Sequence, residues 1–241
     1  MPGAPRFERL DLLRAVAMVW MAAFHFAFDL NHFGLLEPRN NFHRDALWTV
    51  QRTCIVSLFL FSAGMGQAVA LHAAQGWRHF WKRWAQVAVC ALLVSVGSAL
   101  LFPRSWIFFG VLHGIAVMLI VCRLAAPLGA WLWPLGGLAI ALPRLPGLPT
   151  LDHPAWAWIG LVARKPITED YVPVLPWLGV MLWGLAAGQW LLRYRPGLLS
   201  GAVPAAGRPL AALGRWSLSF YMLHQPVFLG AILGGRTLGW W

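Results

Sequence analysis

The residues from Asp11 to Phe33, DLLRAVAMVWMAAFHFAFDLNHF, form an apolar run long enough to cross a bilayer, which takes about 20 residues. The same run carries Asp11, Arg14, His25, Asp29 and His32. Wound at about 100° per residue, these five fall within an arc of roughly 60°, with Met18 in the arc and Met21 beside it. A lipid-facing helix does not keep such a stripe, because a charge at the bilayer centre costs at least ~2.5–3.5 kcal/mol. The stripe therefore has to face other helices or a wet cavity. Polar groups in membranes also bond helix to helix. Five ionisable groups in one line nonetheless mark this helix first as a place of function.

The rest of the chain repeats the apolar pattern. Of 241 residues 59% are hydrophobic and only 11% charged, with a mean hydropathy of +0.63, which places the chain among polytopic membrane proteins. The fold class expected is all-α, a polytopic membrane helix bundle of about seven transmembrane helices. The spans fall at about 11–33, 47–73, 84–102, 105–123, 127–142, 174–192 and 215–234, with Pro103 and Pro143 ending the third and fifth. The patch Ala155 to Ala163 is too short to cross and reads as interfacial or re-entrant, an eighth candidate pass. No cleavable signal peptide is expected, since the first run is too long and too polar-striped for one. No internal repeat or soluble insert is marked, so residues 1–241 read as one integral membrane domain.

A net charge of +11 does not point to nucleic acid, because the Lys and Arg stand singly between apolar runs. They act as orientation signals and contacts for lipid headgroups. With the N-terminus cytoplasmic, eleven Lys and Arg lie inside and eight outside, and six of the eight acids lie at or near the outer face. This favours N-in and, for seven spans, C-out. Cys54, Cys90 and Cys122 lie inside apolar runs without ligand-like spacing, so they read as packing residues; no metal site is expected. Many of the sixteen Trp cluster at run ends, as an aromatic belt does.

Arg14 and His25 are eleven residues apart, about 20° past three full turns and ~16 Å along one helix face. Asp29 lies one turn beyond His25, within reach to accept from the ring and orient it. A His backed by a carboxylate serves as a general base or as a nucleophile. The competing reading is a structural His–Asp pair. His113 sits between Gly110 and Gly114 and either lines a cavity or bonds a neighbouring carbonyl. His224 precedes Pro226, which frees a backbone carbonyl, so it either mends the broken ladder or touches substrate. Ser62, Gly64 and Gly66 read as helix-packing residues.

Three of these features carry a resemblance. An Arg, ten residues and a His on the first span, then FLFSAG at Phe59–Gly64, then SLSFYMLHQP at Ser217–Pro226, are similar to motifs of the acyltransferase type 3 family of membrane acyltransferases. The blocks LDLLRAVAMV, FHFAFDLNHFG and FFGVLHGIAV resemble more closely the bacterial relatives of heparan-alpha-glucosaminide N-acetyltransferase within that superfamily. The resemblance implies an acyl-CoA-dependent transmembrane acyltransferase of the bacterial inner membrane, with acetyl-CoA the donor and a glycan hydroxyl or amine the acceptor. It implies Arg14 and His25 as essential residues. It adds His43, which lies 21 residues before Gly64, as an alternative reacting histidine in the outer loop. Here the chain departs from the pattern, because the Asp expected ten residues after that His is Thr53. His25 ranks above His43, because the polar stripe supports it independently.

On this reading His25 and Asp29 act together, Arg14 holds the donor, and His113 and His224 contact substrate. Arg78, Lys82 and Arg83 at the inner side would meet coenzyme A phosphates, although the positive-inside rule alone would put them there. The outer loop 143–172, with Asp152, His153, Trp156 and Trp158, either receives a sugar or is an ordinary surface loop. Partners expected are acyl-CoA, a glycan or other small acceptor, membrane lipids and, as an open oligomeric option, a second copy in a homodimer. Two other functions compete. A proton-coupled transporter would use the His25 and Asp29 stripe as a relay, but no inverted repeat or matched pair of broken helices is apparent. A seven-span sensor would explain the span count but not the stripe.

Overall fold

The computed structural model describes residues 7–42 and 44–240, and among them all regular structure is helical. The helices are α1 Glu8–His32, α2 Ala46–His72, α3 Trp77–Leu101, α4 Val111–Ala125, α5 Leu132–Ala141, α6 Pro154–Ala157, α7 Val174–Tyr194, α8 Gly197–Ser200, α9 Arg208–Arg215 and α10 Ser217–Thr237. Among the described residues six stretches are long and apolar enough to cross a membrane: α1, α2, α3, the helical run Val111–Arg144, α7 and α10. Six such helices make this a multi-pass membrane protein.

The fourth stretch takes in the expected fifth span and all of the expected fourth but residues 105–110, which are not helical. Its 34 residues leave helical geometry at Gly129, where φ is 56° and ψ is −118°, a conformation that side chains with a Cβ avoid. The chain turns back there. The start of α4 is tied to the segment before α7, since the Val111 N–H donates to Asp170 at 2.7 Å. Ala126, past the far end of α4, accepts from Gln189 near the end of α7 at 2.9 Å. α5 then returns along α7 in the opposite sense, so that Gly136 meets Gly179 and the carbonyl of Trp133 accepts from Trp183. The difference from seven separate helices is one of length. Each arm alone is short, and the two meet at the kink at Gly129 with no loop between them.

Contacts divide the described chain into two compact units, one of residues 60–200 and one of residues 7–59 with 201–240. In the first, Leu60, Leu112, Met118, Met181 and Leu185 form a buried core. Small residues let its helices approach closely. A Cβ at Gly64 would lie 2.1 Å from the Met181 carbonyl oxygen, and one at Gly184 would lie 2.1 Å from that of Phe61. Membrane helices attract one another through such contact, because lipid is as apolar as Leu and gives no hydrophobic drive between helices. For the same reason Leu92, Leu93, Val96 and Leu100 stay exposed along α3. In lipid that face needs no cover.

The loop 143–172 is folded into this unit and is not a free arm. The patch read as a further candidate pass supplies only the four-residue helix α6. Asp152 accepts from the N–H groups of Ala163 and Arg164, Glu169 accepts from Ser105, and Tyr171 donates to Ala157 at 2.6 Å. Burial, reinforced by the nearby Asp152 carboxylate, pushes the Tyr171 phenol up to about 12.

In the second unit α1 is held on two sides. A Cβ at Gly214 of α9 would lie 1.9 Å from the Asp11 carbonyl oxygen, so only Gly admits that backbone-to-backbone contact. Phe24, Phe42 and Trp48 form an aromatic cluster, with Phe42 stacked on Trp48 at 3.9 Å, and Trp20 donates to Gln51 at 3.1 Å. Leu10, Ala15, Ala17, Met18, Met21, Ala22 and Asp29 are the buried residues of α1. They lie on the same side as the polar stripe, which therefore faces protein.

Candidate functional site

The site is built where α1 meets α10. The ring of His25 lies 5.3 Å from that of His224, centroid to centroid, at an angle of 50°. One turn further along α1, Asp29, only 3% exposed, accepts from the amide nitrogen of Gln225 through both oxygens, at 2.9 and 3.0 Å. Two adjacent residues of α10 thus meet two residues one turn apart on α1.

His224 is held on several sides. Its Nδ1 lies 2.7 Å from the Tyr221 carbonyl oxygen, and because a carbonyl only accepts, Nδ1 carries the hydrogen. Phe220 stacks parallel to the ring at 6.0 Å, while Tyr221 and Phe228 present edges at 5.7 and 6.0 Å. Among the described residues neither the buried Nε2 of His224 nor the buried amide oxygen of Gln225 has a hydrogen-bond partner. The Pro226 imino nitrogen leaves the Met222 carbonyl without its helical donor. His224 does not mend that break, since it bonds the carbonyl one residue earlier.

The expected His25–Asp29 bond is not made. Asp29 is committed to Gln225 across the helix pair, and His25 turns toward His224 with Phe24 at its edge. A carboxylate buried beside an amide donor has no need of the imidazole, and the amide reaches both of its oxygens. Arg14 pairs with Asp11 at 3.1 Å, one turn away on the same helix. His32, the outermost member of the stripe, is exposed. It lines a hollow of about 430 Å³ together with Phe28, Asn31, Arg39, Asn40, Asn41 and Phe42. Asn31 braces that hollow by donating to the Asn40 carbonyl at 3.0 Å and accepting from the Asn40 N–H at 2.8 Å. His43 lies outside the described residues.

The remaining candidates belong to the other unit. His113 uses both ring nitrogens in structure. Nδ1 accepts from the Gly110 N–H at 3.3 Å, which caps α4, and Nε2 lies 3.0 Å from Ser95 Oγ, which itself donates to the Ile107 carbonyl at 2.6 Å. Both nitrogens of His113 are thus engaged within the protein, one of them in capping α4. Arg78, Lys82 and Arg83 are exposed on the first two turns of α3. At the ends of α2 and α7, Ala68, Leu71, His72, Gln189, Leu192 and Arg193 line a second hollow of about 320 Å³. In the outer loop, Asp152 is tied to backbone N–H groups and His153 caps α6 by accepting from Ala155 at 3.2 Å, so both take part in the loop's own fold.

Sequence reasoning passed over Gln225 and Arg123. Gln225 adjoins His224, so its position was legible but its partner was not. Arg123 is buried, donates to the Gln75 carbonyl and lies over the rings of Trp77 and Phe80 at 5.3 and 5.7 Å, which pins the turn between α2 and α3. Its only sequence signal was a charge at the end of an apolar run, read as a mark of orientation.

Residues 6–226 match the model of a family described as heparan-alpha-glucosaminide N-acetyltransferase, catalytic. The matched stretch runs through both units and includes His25, Asp29, His224 and Gln225. No match was found among curated proteins or among solved structures.

Proposed function

Because the chain belongs to the heparan-alpha-glucosaminide N-acetyltransferase catalytic family, we propose that it moves an acetyl group from acetyl-CoA, bound from the cytoplasmic side, to an amine or hydroxyl of a glycan on the outer side of a bacterial inner membrane. The family match supports acetyl transfer. The observation that carries the choice of site is the buried pairing of His25 with His224 beside the Asp29–Gln225 bond.

In this reading one nitrogen of His25 takes the proton from the acceptor as its nitrogen or oxygen attacks the acetyl carbonyl carbon. The new bond forms as the carbon–sulfur bond of the thioester breaks. The proton then returns to the departing thiolate, so the products are the acetylated acceptor and coenzyme A. Such acid–base assistance contributes about 10²–10⁴-fold. The acceptor would enter by the hollow at Asn31, His32, Arg39 and Asn40, whose amides and guanidinium suit hydroxyl groups. Asn31 and His32 lie six and seven residues past His25, roughly 9–10.5 Å along the helix. Arg78, Lys82 and Arg83, exposed on α3, would supply charge for the coenzyme's phosphates.

The test is label transfer. Purified protein in nanodiscs receives radiolabelled acetyl-CoA with glucosamine as probe acceptor. Transfer that disappears in His25→Ala is the expected result. Undiminished transfer in His25→Ala removes His25 from the reaction. Proton flux into proteoliposomes with no acetyl transfer to any sugar tried would favour the carrier instead.

A further inference from the structure

We propose that His224 is the positioning residue of the transfer step: its bare Nε2 receives the second ring N–H of His25 and so decides which nitrogen of His25 faces the acceptor. The inference rests on the acetyl-transfer reading above and deepens it.

Four observations converge. The bond from Nδ1 to the Tyr221 carbonyl leaves the neutral ring of His224 with its lone pair on Nε2. Among the described residues, that nitrogen is buried without a partner, on a residue 8% exposed, and a buried acceptor left unpaired is costly. Phe220 and Phe228 flank the ring with faces and edges, and neither offers it a strong donor. The His25 ring, which carries an N–H able to donate, lies beside it at 5.3 Å between centroids. Two imidazoles joined by an in-line N–H···N bond of about 2.9 Å have their centroids roughly 5.2 Å apart. The separation suits the bond, which the structure does not make; reorientation of the His25 ring would bring its N–H in line with Nε2. Asp29, the obvious orienting group by sequence, is occupied by Gln225 and serves instead to fix α1 against α10.

The proton balance is closed. As the acceptor's nitrogen or oxygen bonds to the acetyl carbon, its proton passes to the outward nitrogen of His25. The N–H on the inward nitrogen moves toward His224 Nε2, and the positive charge spreads over both rings, with the Tyr221 carbonyl stabilising the N–H of the second. When the carbon–sulfur bond breaks, the same proton shift runs back and His25 protonates the thiolate. Nothing is oxidised or reduced, and both histidines end as they began.

The experiment uses two substitutions and one spectroscopic readout on the whole protein in nanodiscs. Asn places an amide N–H where Nδ1–H stood, so His224→Asn keeps the Tyr221 bond but removes the Nε2 lone pair. Gln reaches the Nε2 position and restores an acceptor. With acetyl-CoA and glucosamine as probes, His224→Asn is expected to lower kcat about 100-fold with KM for acetyl-CoA unchanged, and His224→Gln to recover at least tenfold of that loss. A purely structural His224 would leave the Asn variant at wild-type kcat, and that result overturns the proposal. Independently of turnover, ¹⁵N-histidine NMR of the wild type should show His224 with a protonated Nδ1 and bare Nε2, and His25 in a single tautomer that becomes a mixture in His224→Asn. Mixed tautomers of His25 in the wild type, or spectra of His25 unchanged by the substitution, overturn it as well. Absence of transfer by the wild type, with the spectra as expected, would count against the acetyl-transfer reading alone.

Discussion

The crossing of α2 and α7 gives a prediction whose size follows from the coordinates. A Cβ on Gly184 would lie 2.1 Å from the carbonyl oxygen of Phe61, about 0.9 Å inside the 3.0 Å that real Cβ atoms keep. The obstacle is backbone, so no side chain can swing away; the helices must part, and the reciprocal contact of Gly64 with Met181 opens with them. Overpacking of this kind costs about 1–3 kcal/mol, and a rigid backbone obstacle puts it toward the upper end. Against this, Ala gains about 1 kcal/mol over Gly as a helix former. Gly184→Ala is therefore expected to lose about 2 kcal/mol, which for a chain of this size lowers Tm by roughly 4–8 °C. Gly97 is the control: it lies in α3 with nothing within 4 Å of its Cβ position. There the helix-forming gain stands alone, so Gly97→Ala should raise Tm by roughly 2–4 °C. Both are measured by thermal unfolding followed by circular dichroism in one detergent. If Gly184→Ala melts at or above the parent while Gly97→Ala gains as expected, the close crossing of α2 and α7 is wrong.

Two further outcomes are expected. Gln225→Leu leaves the Asp29 carboxylate buried without its amide donor; a double-mutant cycle with Asp29→Ala should give a coupling of about 1.5–3 kcal/mol, as for hydrogen bonds to charged groups. A coupling under about 0.5 kcal/mol would mean that the bond does not hold α1 to α10. The raised Tyr171 phenol makes folding favour the protonated form, so its contribution to stability is complete below pH ~10, the unfolded value, and is lost as pH rises through about 12. Denaturant unfolding of the parent should therefore weaken between those values more steeply than that of Tyr171→Phe, and parallel curves would refute the assignment.

The spans were legible because the length of an apolar run is a local property, and the bilayer alone sets the length required. The stripe on α1 was legible for a similar reason, since placing polar residues on one face needs only the helical repeat. Buried Met18, Met21 and Asp29 show that this face meets protein. The reversal at Gly129 was half legible. Two apolar arms stood out, but a Gly among Ala, Pro and Leu did not reveal that the backbone leaves the helix there without an intervening loop.

Partners were harder to read than positions, and the histidines show why. His25 and His113 look alike in sequence, each an imidazole within an apolar run. His113 finds its partners at separations of 3 and 18 residues, and those bonds cap α4. His25 finds its partner on the last helix, and the neighbouring Asp29–Gln225 bond spans 196 residues of chain. No periodicity within α1 carries information over that distance. A carboxylate one turn from a histidine is therefore an available partner only when no better donor arrives from elsewhere in the fold. Here the Gln225 amide reaches both Asp29 oxygens, which leaves the imidazole to a second imidazole whose own hydrogen is already committed. The pairing on which the proposed transfer step rests is thus decided by the approach of α10 to α1. A change at Gln225, which touches neither histidine by hydrogen bond, should disturb the His25–His224 geometry as much as a change at Asp29 does.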